Sequence, residues 1–267
     1  MLVIGERINA SNKSVAEAIA NKDREFLQNL ARAQVNAGAD FIDVNSGAGS
    51  QNDEALTMEW LVELVQEATD RPLVIDSASP TVIEAALRKY RGERLIINSV
   101  TAEPERLVSL GSLAAERQAW LVALAMGTDG IPASVEERLA ACEQIMVQLT
   151  KLGLKEGQVL FDPLVLPLAT DARQGMVTLK TMEQIKSRYP TAMTVLGLSN
   201  ISYGLPARGI VNRAFLQMAA YAGLDVAILD PLDTKMMGFI KMADMLTGKD
   251  SSCRGYIRAY RGGILVE

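Results

Sequence analysis

Acidic and amide side chains follow a series of short apolar segments along this chain of 267 residues. The clearest case is the stretch 194–204, TVLGLSNISYG, where an apolar segment runs into a turn rich in hydroxyl and amide groups. Asp and Asn often end strands simply because they favour turns and helix N-caps. The repetition of the pattern is therefore more informative than any one residue. The residues that carry it are Glu6, Asp43, Asn45, Asp76, Asn98, Asp162, Asn200 and Asp230.

A set of carboxylates and amides suits two kinds of ligand. Mg²⁺ or Ca²⁺ is one, because these cations prefer oxygen ligands of this type. The other is a heterocycle with several N–H donors and a carbonyl, such as a pterin. A carboxylate accepts two hydrogen bonds from an amino-pyrimidine edge, and an amide matches an edge of mixed donors and acceptors. The composition of the set leaves both possibilities open.

The chain contains no histidine. This excludes Ser-His and Cys-His nucleophiles, a histidine general base and histidine-ligated zinc. Acid–base chemistry must therefore fall to Asp, Glu, Tyr or Lys. If the protein is an enzyme, we expect hydrogen bonds that stabilise developing charge to carry most of the catalysis.

The overall composition predicts a globular protein of the cytoplasm. Apolar residues make up 49% of the chain and charged residues 22%, which is enough for a sizeable core. The net charge of −5 gives no reason to expect nucleic acid or an anionic membrane as partner. Cys142 and Cys253 lack metal-type spacing, which favours a reducing compartment. Neither a signal peptide nor an apolar run of about 18 residues is visible, so we expect a soluble protein.

The polar residues need a scaffold that brings strand ends together. Amphipathic segments with helical spacing separate the apolar segments, and the resulting unit recurs about every 32 residues. Strands that are apolar throughout indicate a parallel sheet covered by helices. The predicted strands are 2–4, 41–45, 73–76, 95–98, 120–126, 159–162, 194–197 and 226–230.

Eight such units predict a single (β/α)8 TIM barrel domain over residues 1–267. A doubly wound open sheet is the alternative, but its first βα turn usually carries G-x-G-x-x-G, and GERINA at 5–10 does not. In a barrel the C-terminal strand ends converge on one face, where active sites are built. We therefore expect the polar residues to meet there.

Six segments of the chain resemble motifs of the pterin-binding methyltransferase family, in the family's order and spacing. They are most similar to those of methyltetrahydrofolate:corrinoid/iron–sulfur protein methyltransferases and of methylcobalamin:tetrahydrofolate methyltransferases from anaerobic demethylation systems. The resemblance extends over residues 1–245, and it favours a pterin over a metal. The segments are GERINA (5–10), DVNSG (43–47), VIDS (74–77), INS (97–99), FDPLVLP (161–167) and TVLGLSN (194–200).

The resemblance implies an enzyme that moves a methyl group between nitrogen 5 (N5) of tetrahydrofolate and the cobalt of a corrinoid. It also implies a (β/α)8 barrel that is usually homodimeric. The folate substrate would be tetrahydrofolate or methyltetrahydrofolate. Cobalamin would arrive on a separate corrinoid protein that docks over the C-terminal face, because the D-x-H-x-x-G motif of cobalamin-binding modules needs a histidine. The direction of transfer does not follow from the sequence.

Carried over by position, the resemblance implies roles for individual residues. Asp76, Asn98 and Asp162 would hold the pterin ring. Gly197 and Ser199 would line its pocket. Asn200 would act as a catalytic residue that bonds N5, since a neutral amide can stabilise the change of charge there. Asp162 would also be catalytic, relaying a proton through water.

Six further residues are expected at the rim of the pocket or behind the groups that touch the substrate, and no metal ligand is expected. Tyr203 departs from the closest family members, in which we expect an amide, so its role in orienting the substrate is open. Arg208 is a candidate for binding a carboxylate of the folate tail. The six residues are Glu6, Asp43, Asn45, Ser202, Tyr203 and Arg208.

Two other functions remain as alternatives. A dihydropteroate synthase shares the barrel and the pterin pocket, but it needs a Lys/Arg pair late in the chain. Lys235 and Arg254 are poor candidates for such a pair. The other alternative is a folate-binding subunit without catalytic activity.

Overall fold

The computed structural model describes residues 1–47 and 51–265. Within these ranges, eight parallel strands close into a barrel in the order of the sequence, and β8 pairs with β1. The predicted (β/α)8 TIM barrel is confirmed. The strands are β1 Leu2–Asn9, β2 Phe41–Asn45, β3 Leu73–Asp76, β4 Leu95–Val100, β5 Trp120–Leu124, β6 Val159–Asp162, β7 Met193–Gly197 and β8 Val226–Leu229.

One buried residue from each strand fills the inside of the barrel, and together these residues form its apolar floor. Successive side chains of a strand point to opposite faces, so every second residue of each strand points inward. The next inward position on each strand therefore lies two residues further on, at the C-terminal mouth. The floor consists of Ile4, Phe41, Val74, Ile96, Val122, Leu160, Val195 and Val226.

The described residues form two more α-helices than the eight that the sequence predicts. Helix α1 follows β1, where the Asn12 side chain accepts a hydrogen bond from the Ser14 N–H at 3.2 Å. Helix α10 lies in the tail and packs against α9. No described helix is long and apolar enough to cross a membrane. The helices are α1 Lys13–Ala20, α2 Arg24–Asn36, α3 Gln51–Ala68, α4 Pro80–Lys89, α5 Pro104–Arg117, α6 Val135–Lys151, α7 Gln174–Arg188, α8 Arg208–Tyr221, α9 Thr234–Leu246 and α10 Arg254–Arg261.

Strand ends near the mouth differ from the prediction. Strands β1 and β4 continue to Asn9 and Val100, and the pairing register shifts within each of them. Such irregularities are frequent beside active sites, where they redirect side chains. Strand β5 ends at Leu124 rather than at 126. The turn predicted after β7 is a short 3-10 helix, Leu198–Ser202.

The packing of α2 on β1 depends on Gly5. A Cβ atom at this position would lie 2.5 Å from Oε1 of the buried Gln34. The same oxygen accepts a hydrogen bond from the Arg7 N–H at 2.9 Å. Gly5 therefore lets a side chain of α2 reach the backbone of β1 where the register shifts, immediately before the mouth.

Candidate active site

The mouth of the barrel is more polar on the β1–β4 side than on the β5–β8 side. The residues two positions beyond the floor form a single level, and most of its acidic and amide members come from β1 to β4. Leu124, Gly197 and Ile228 occupy the same level on β5, β7 and β8 and contribute no polar side chain. The polar members of the level are Glu6, Asp43, Asp76, Asn98 and Asp162. The predicted residues from different strands thus come together, although their roles remain predictions.

On the β2–β4 side, Asp76 is held by neighbouring side chains. Its Oδ2 accepts a hydrogen bond from Nδ2 of Asn45 at 2.9 Å, and Asn98 is its register partner on β4. Arg106 of α5 donates to the Ser99 carbonyl at 2.8 Å and 3.0 Å. Burial raises the pKa of Asp76, whereas the Asn45 bond and the positive charge of Arg106 lower it. The net effect raises the pKa of Asp76, and the hydrogen bond from Asn45 fixes its carboxyl group in place.

Two further carboxyl groups, those of Asp43 and Glu6, lie on the same level as Asp76. Asp43 is 3% exposed, and its buried Oδ1 has no hydrogen-bond partner among the described residues. Burial, followed by the charges of Asp76 and Glu6, raises the pKa of Asp43 well above its usual value. The pKa of Glu6 is also raised, by burial and by Asp230. Because neighbouring like charges resist ionising together, the charges of Asp76 and Glu6 favour the protonated form of Asp43.

On the β6–β7 side, Asp162 is held by its own turn. Its Oδ1 accepts a hydrogen bond from the Leu164 N–H at 2.8 Å. Burial raises the pKa of Asp162 to about 7, against the lowering effects of this bond and of the Arg138 charge. A carboxyl with this pKa exchanges a proton near neutral pH, which suits a general acid or base.

The 3-10 helix after β7 places Asn200 at the edge of the mouth. The Asn200 side chain is exposed. Among the described residues, neither Asn200 nor Asn98 shows a hydrogen bond from its side-chain amide. A Cβ atom at Gly197 would lie 3.2 Å from Nδ2 of Asn200. Because residue 197 is a glycine, no side chain at that position displaces the Asn200 amide. The side-chain amides of Asn200 and Asn98 can both bind a ligand.

Arg208 braces this 3-10 helix from the start of α8. Its Nη2 donates to the Ser199 carbonyl at 2.8 Å, and its Nε donates to Oγ of the buried Ser202 at 3.0 Å. The guanidinium carbon also lies 5.8 Å from the ring centroid of Tyr203, whose side chain is 66% exposed. These contacts give Arg208 a supporting position at the rim, where its predicted contact with a folate tail remains a prediction.

Two arginines that support the mouth are missing from the sequence prediction. Arg106 binds backbone at the ends of β3 and β4, and Arg138 binds the turn after β6. The Arg138 position carries a signal, because it lies on the apolar stripe of α6 with Cys142 and Ile145, at spacings of four and three residues. A charge in such a stripe needs buried partners. Their identity does not follow from the helix alone.

The described residues contain no group of three or more His, Cys, Asp or Glu side chains arranged to hold a metal ion. The polar level combines carboxyl groups with the Asn98 amide. This donor and acceptor mixture matches a flat heterocycle with N–H and carbonyl groups.

Known proteins resemble this chain in sequence. A family model described as pterin binding enzyme matches residues 5–230. The methylcorrinoid:tetrahydrofolate methyltransferase of Eubacterium limosum is 35% identical over 265 residues, covering 98% of this chain and 97% of that protein. Methionine synthase of Mycobacterium tuberculosis is 33% identical over 242 residues, which are 86% of this chain but 20% of that much longer protein.

Solved structures with the same fold include two dihydropteroate synthases. The Coxiella burnetii enzyme superimposes with a TM-score of 0.69 over 93% of this chain and 94% of that one, at 16% identity. The Yersinia pestis enzyme gives a TM-score of 0.65 over 94% of both chains, also at 16% identity. At this identity the likeness is one of fold. The family match over residues 5–230, together with the relative aligned over its whole length, shows that the chain belongs to the pterin-binding enzyme family.

Proposed function

We propose that the protein transfers a methyl group from a methylcorrinoid, carried on a partner protein, to N5 of tetrahydrofolate. The observation that carries the proposal is the placement of Asp76, Asn98 and Asp162 on one level of the mouth, with Gly197 on the next strand. The direction is supported by the full-length relative, which is a methylcorrinoid:tetrahydrofolate methyltransferase.

Recognition of the pterin falls to the β2–β4 side. The ionised Asp76 carboxylate accepts two hydrogen bonds from the amino-pyrimidine edge, and the Asn98 amide pairs with a neighbouring donor and acceptor. Nδ2 of Asn45 already binds Oδ2 of Asp76 at 2.9 Å. The Asp76 side chain therefore loses little further conformational freedom when the ligand binds. Hydrogen bonds from the ligand favour the charged form and so offset the effect of burial on the Asp76 pKa.

Proton transfer falls to the β6–β7 side. The corrinoid substrate supplies the methyl group, and the electron pair of its carbon–cobalt bond stays on cobalt. As the new carbon–nitrogen bond forms, N5 becomes positively charged and must lose its proton. Asp162, with a pKa of about 7, accepts that proton through a water molecule. The Asn200 amide oxygen binds the N5–H and orients the nitrogen lone pair toward the methyl group.

The partner corrinoid protein docks over the C-terminal face in this proposal, because the reacting nitrogen faces outward there. Tyr203 and Asn200 are exposed at this rim. The homodimer implied by the family resemblance and the cytoplasmic location inferred from the composition remain predictions.

An assay of methyl transfer between methylcobalamin and tetrahydrofolate tests the proposal, with the absorbance change of the corrinoid as readout. We expect transfer with free methylcobalamin and faster transfer with a methylated corrinoid protein. Protein that binds tetrahydrofolate but moves no methyl group in either direction, even with a corrinoid protein present, would behave as a folate-binding subunit. Formation of dihydropteroate from a pterin pyrophosphate and p-aminobenzoate would instead support the synthase alternative.

A further inference from the structure

Arg138 of α6 is a fully buried arginine beside the catalytic side of the mouth, and its side chain is 0% exposed. A charge placed in the protein interior costs several kcal/mol unless its donors are bonded. Here the guanidinium binds neutral oxygen atoms. The role of this buried charge therefore depends on which parts of the fold these oxygen atoms belong to.

Two of the hydrogen bonds from Arg138 go to the turn that follows β6. Nη1 donates to the Pro163 carbonyl and to the Leu164 carbonyl, each at 2.8 Å. Nε donates to the Pro132 carbonyl at 3.0 Å, and Nη2 donates to Oε1 of Gln174 at 2.8 Å. One side chain therefore ties the turn after β6 to the loop before α6 and to the start of α7.

The turn needs such support because Leu164 has a left-handed backbone, with φ of 68°. This conformation is unfavourable for a residue other than glycine. The Leu164 carbonyl is bound twice, by Nη1 of Arg138 and by Oγ1 of Thr178, each at 2.8 Å. In this conformation the Leu164 N–H points at Oδ1 of Asp162 and donates to it at 2.8 Å.

We propose that Arg138 is a positioning residue for Asp162: it fixes the turn 163–164 so that the Leu164 N–H binds Oδ1 and leaves Oδ2 for the proton of the substrate. This inference rests on the function proposed above for Asp162. Arg138 touches neither the substrate nor the reacting atoms in this account. Its influence passes through the backbone of Leu164 and through its charge.

Loss of Arg138 should change the pKa of Asp162 in one direction, upward. Burial raises the pKa of Asp162, and both the Leu164 N–H and the charge of Arg138 lower it. Loss of Arg138 removes the charge and loosens the turn that supplies the N–H. Both changes raise the pKa further, so at neutral pH a smaller fraction of Asp162 is ionised and able to accept a proton.

A purely structural role would leave this ionisation unchanged, so the test measures it directly. Aspartate labelled with ¹³C at Cγ is incorporated into the whole protein, and the Asp162 resonance is identified by its loss in Asp162→Asn. In Arg138→Met, which keeps an unbranched side chain without the charge, we expect the Asp162 titration to move up by about one pH unit. Methyl transfer at pH 7 should fall about fivefold in kcat, recover as the pH is raised, and keep its KM for tetrahydrofolate within about threefold.

A matched control removes another link between the same two helices. Arg188 of α7 pairs with Glu143 of α6 at 3.3 Å on the surface. Arg188→Met should leave the Asp162 titration, kcat and KM unchanged, since a surface ion pair contributes little.

Two milder variants keep the proposal testable if Arg138→Met does not fold. Thr178→Val removes the second donor to the Leu164 carbonyl, and Arg138→Lys retains the charge without the forked donors. Both should shift the Asp162 titration upward by less than Arg138→Met. An unchanged titration in folded Arg138→Met, or in both milder variants, overturns the proposal. Because the titration requires no turnover, its outcome does not depend on whether the protein transfers a methyl group.

Discussion

The two sides of the barrel mouth hold their carboxylates in different ways. On the β2–β4 side, the Asn45 side chain binds Asp76, and burial raises the pKa of Asp76 against the lowering effects of that bond and of the Arg106 charge. On the β6–β7 side, the backbone N–H of Leu164 binds Asp162, whose pKa is raised to about 7. A group that recognises donors must stay ionised, whereas a group that moves a proton must gain and lose it easily. In the proposed function, recognition therefore falls to Asp76 and proton transfer to Asp162.

The largest effect should come from removing Asp76. In Asp76→Ala we expect the Kd for tetrahydrofolate to rise about 1,000-fold, equivalent to about 4 kcal/mol, because the pterin donors lose a charged acceptor. Asp76→Asn keeps the size and one acceptor, so the loss should be about tenfold smaller. Titration calorimetry measures both. A change below about tenfold in Asp76→Ala would contradict the assignment of recognition to this side.

The second effect concerns the proton on Asp162. In the wild-type protein, methyl transfer to tetrahydrofolate should rise with pH and level off above about 7, because only the ionised carboxylate accepts a proton. Asp162→Asn should lower kcat about 100-fold at pH 7.5 and abolish this rise. Single-turnover rates at saturating tetrahydrofolate provide the measurement. A variant that keeps the wild-type pH profile would move the proton-accepting role to another group.

A smaller effect should come from Gly197→Ala. The φ of −73° at Gly197 suits alanine, but the added Cβ atom would lie 3.2 Å from Nδ2 of Asn200. The Asn200 amide must move by a few tenths of an ångström, and misplacement of a catalytic group lowers the rate. We expect kcat to fall about tenfold and the melting temperature to stay within about 2 °C. Equal losses in kcat and in folate affinity would show that Gly197 serves the pocket rather than Asn200.

The barrel could be predicted from the sequence because its signals are local. Fully apolar strands, helical spacing and caps such as Ser134, which forms a capping box with Glu137, are all visible within short windows. The polar level follows from the same strands, because the residue two positions beyond a floor residue must point into the mouth. Asp43, Asp76 and Asp162 could therefore be placed from the sequence.

The supports of the mouth could not be predicted, because their partners lie far away along the chain. Arg138 binds backbone carbonyls at 163 and 164, and Arg106 reaches back to the Ser77 carbonyl. Backbone carbonyls carry no side-chain signature. The left-handed conformation of Leu164 is hidden for a related reason: leucine does not favour it, and bonds from Arg138 and Thr178, which are distant in sequence, help to sustain it.

The central claim is the division of labour across the mouth, and Asn200→Ala tests it most directly beside Asp76→Ala. Both the Kd for tetrahydrofolate and the single-turnover rate at saturating folate should be measured for each variant. We expect Asn200→Ala to lose about 100-fold in rate with Kd within about threefold, because its bond to N5 strengthens as charge develops. Asp76→Ala should show its loss mainly in Kd. An unchanged rate in Asn200→Ala, or a loss in Kd as large as the loss in rate, would contradict the claim.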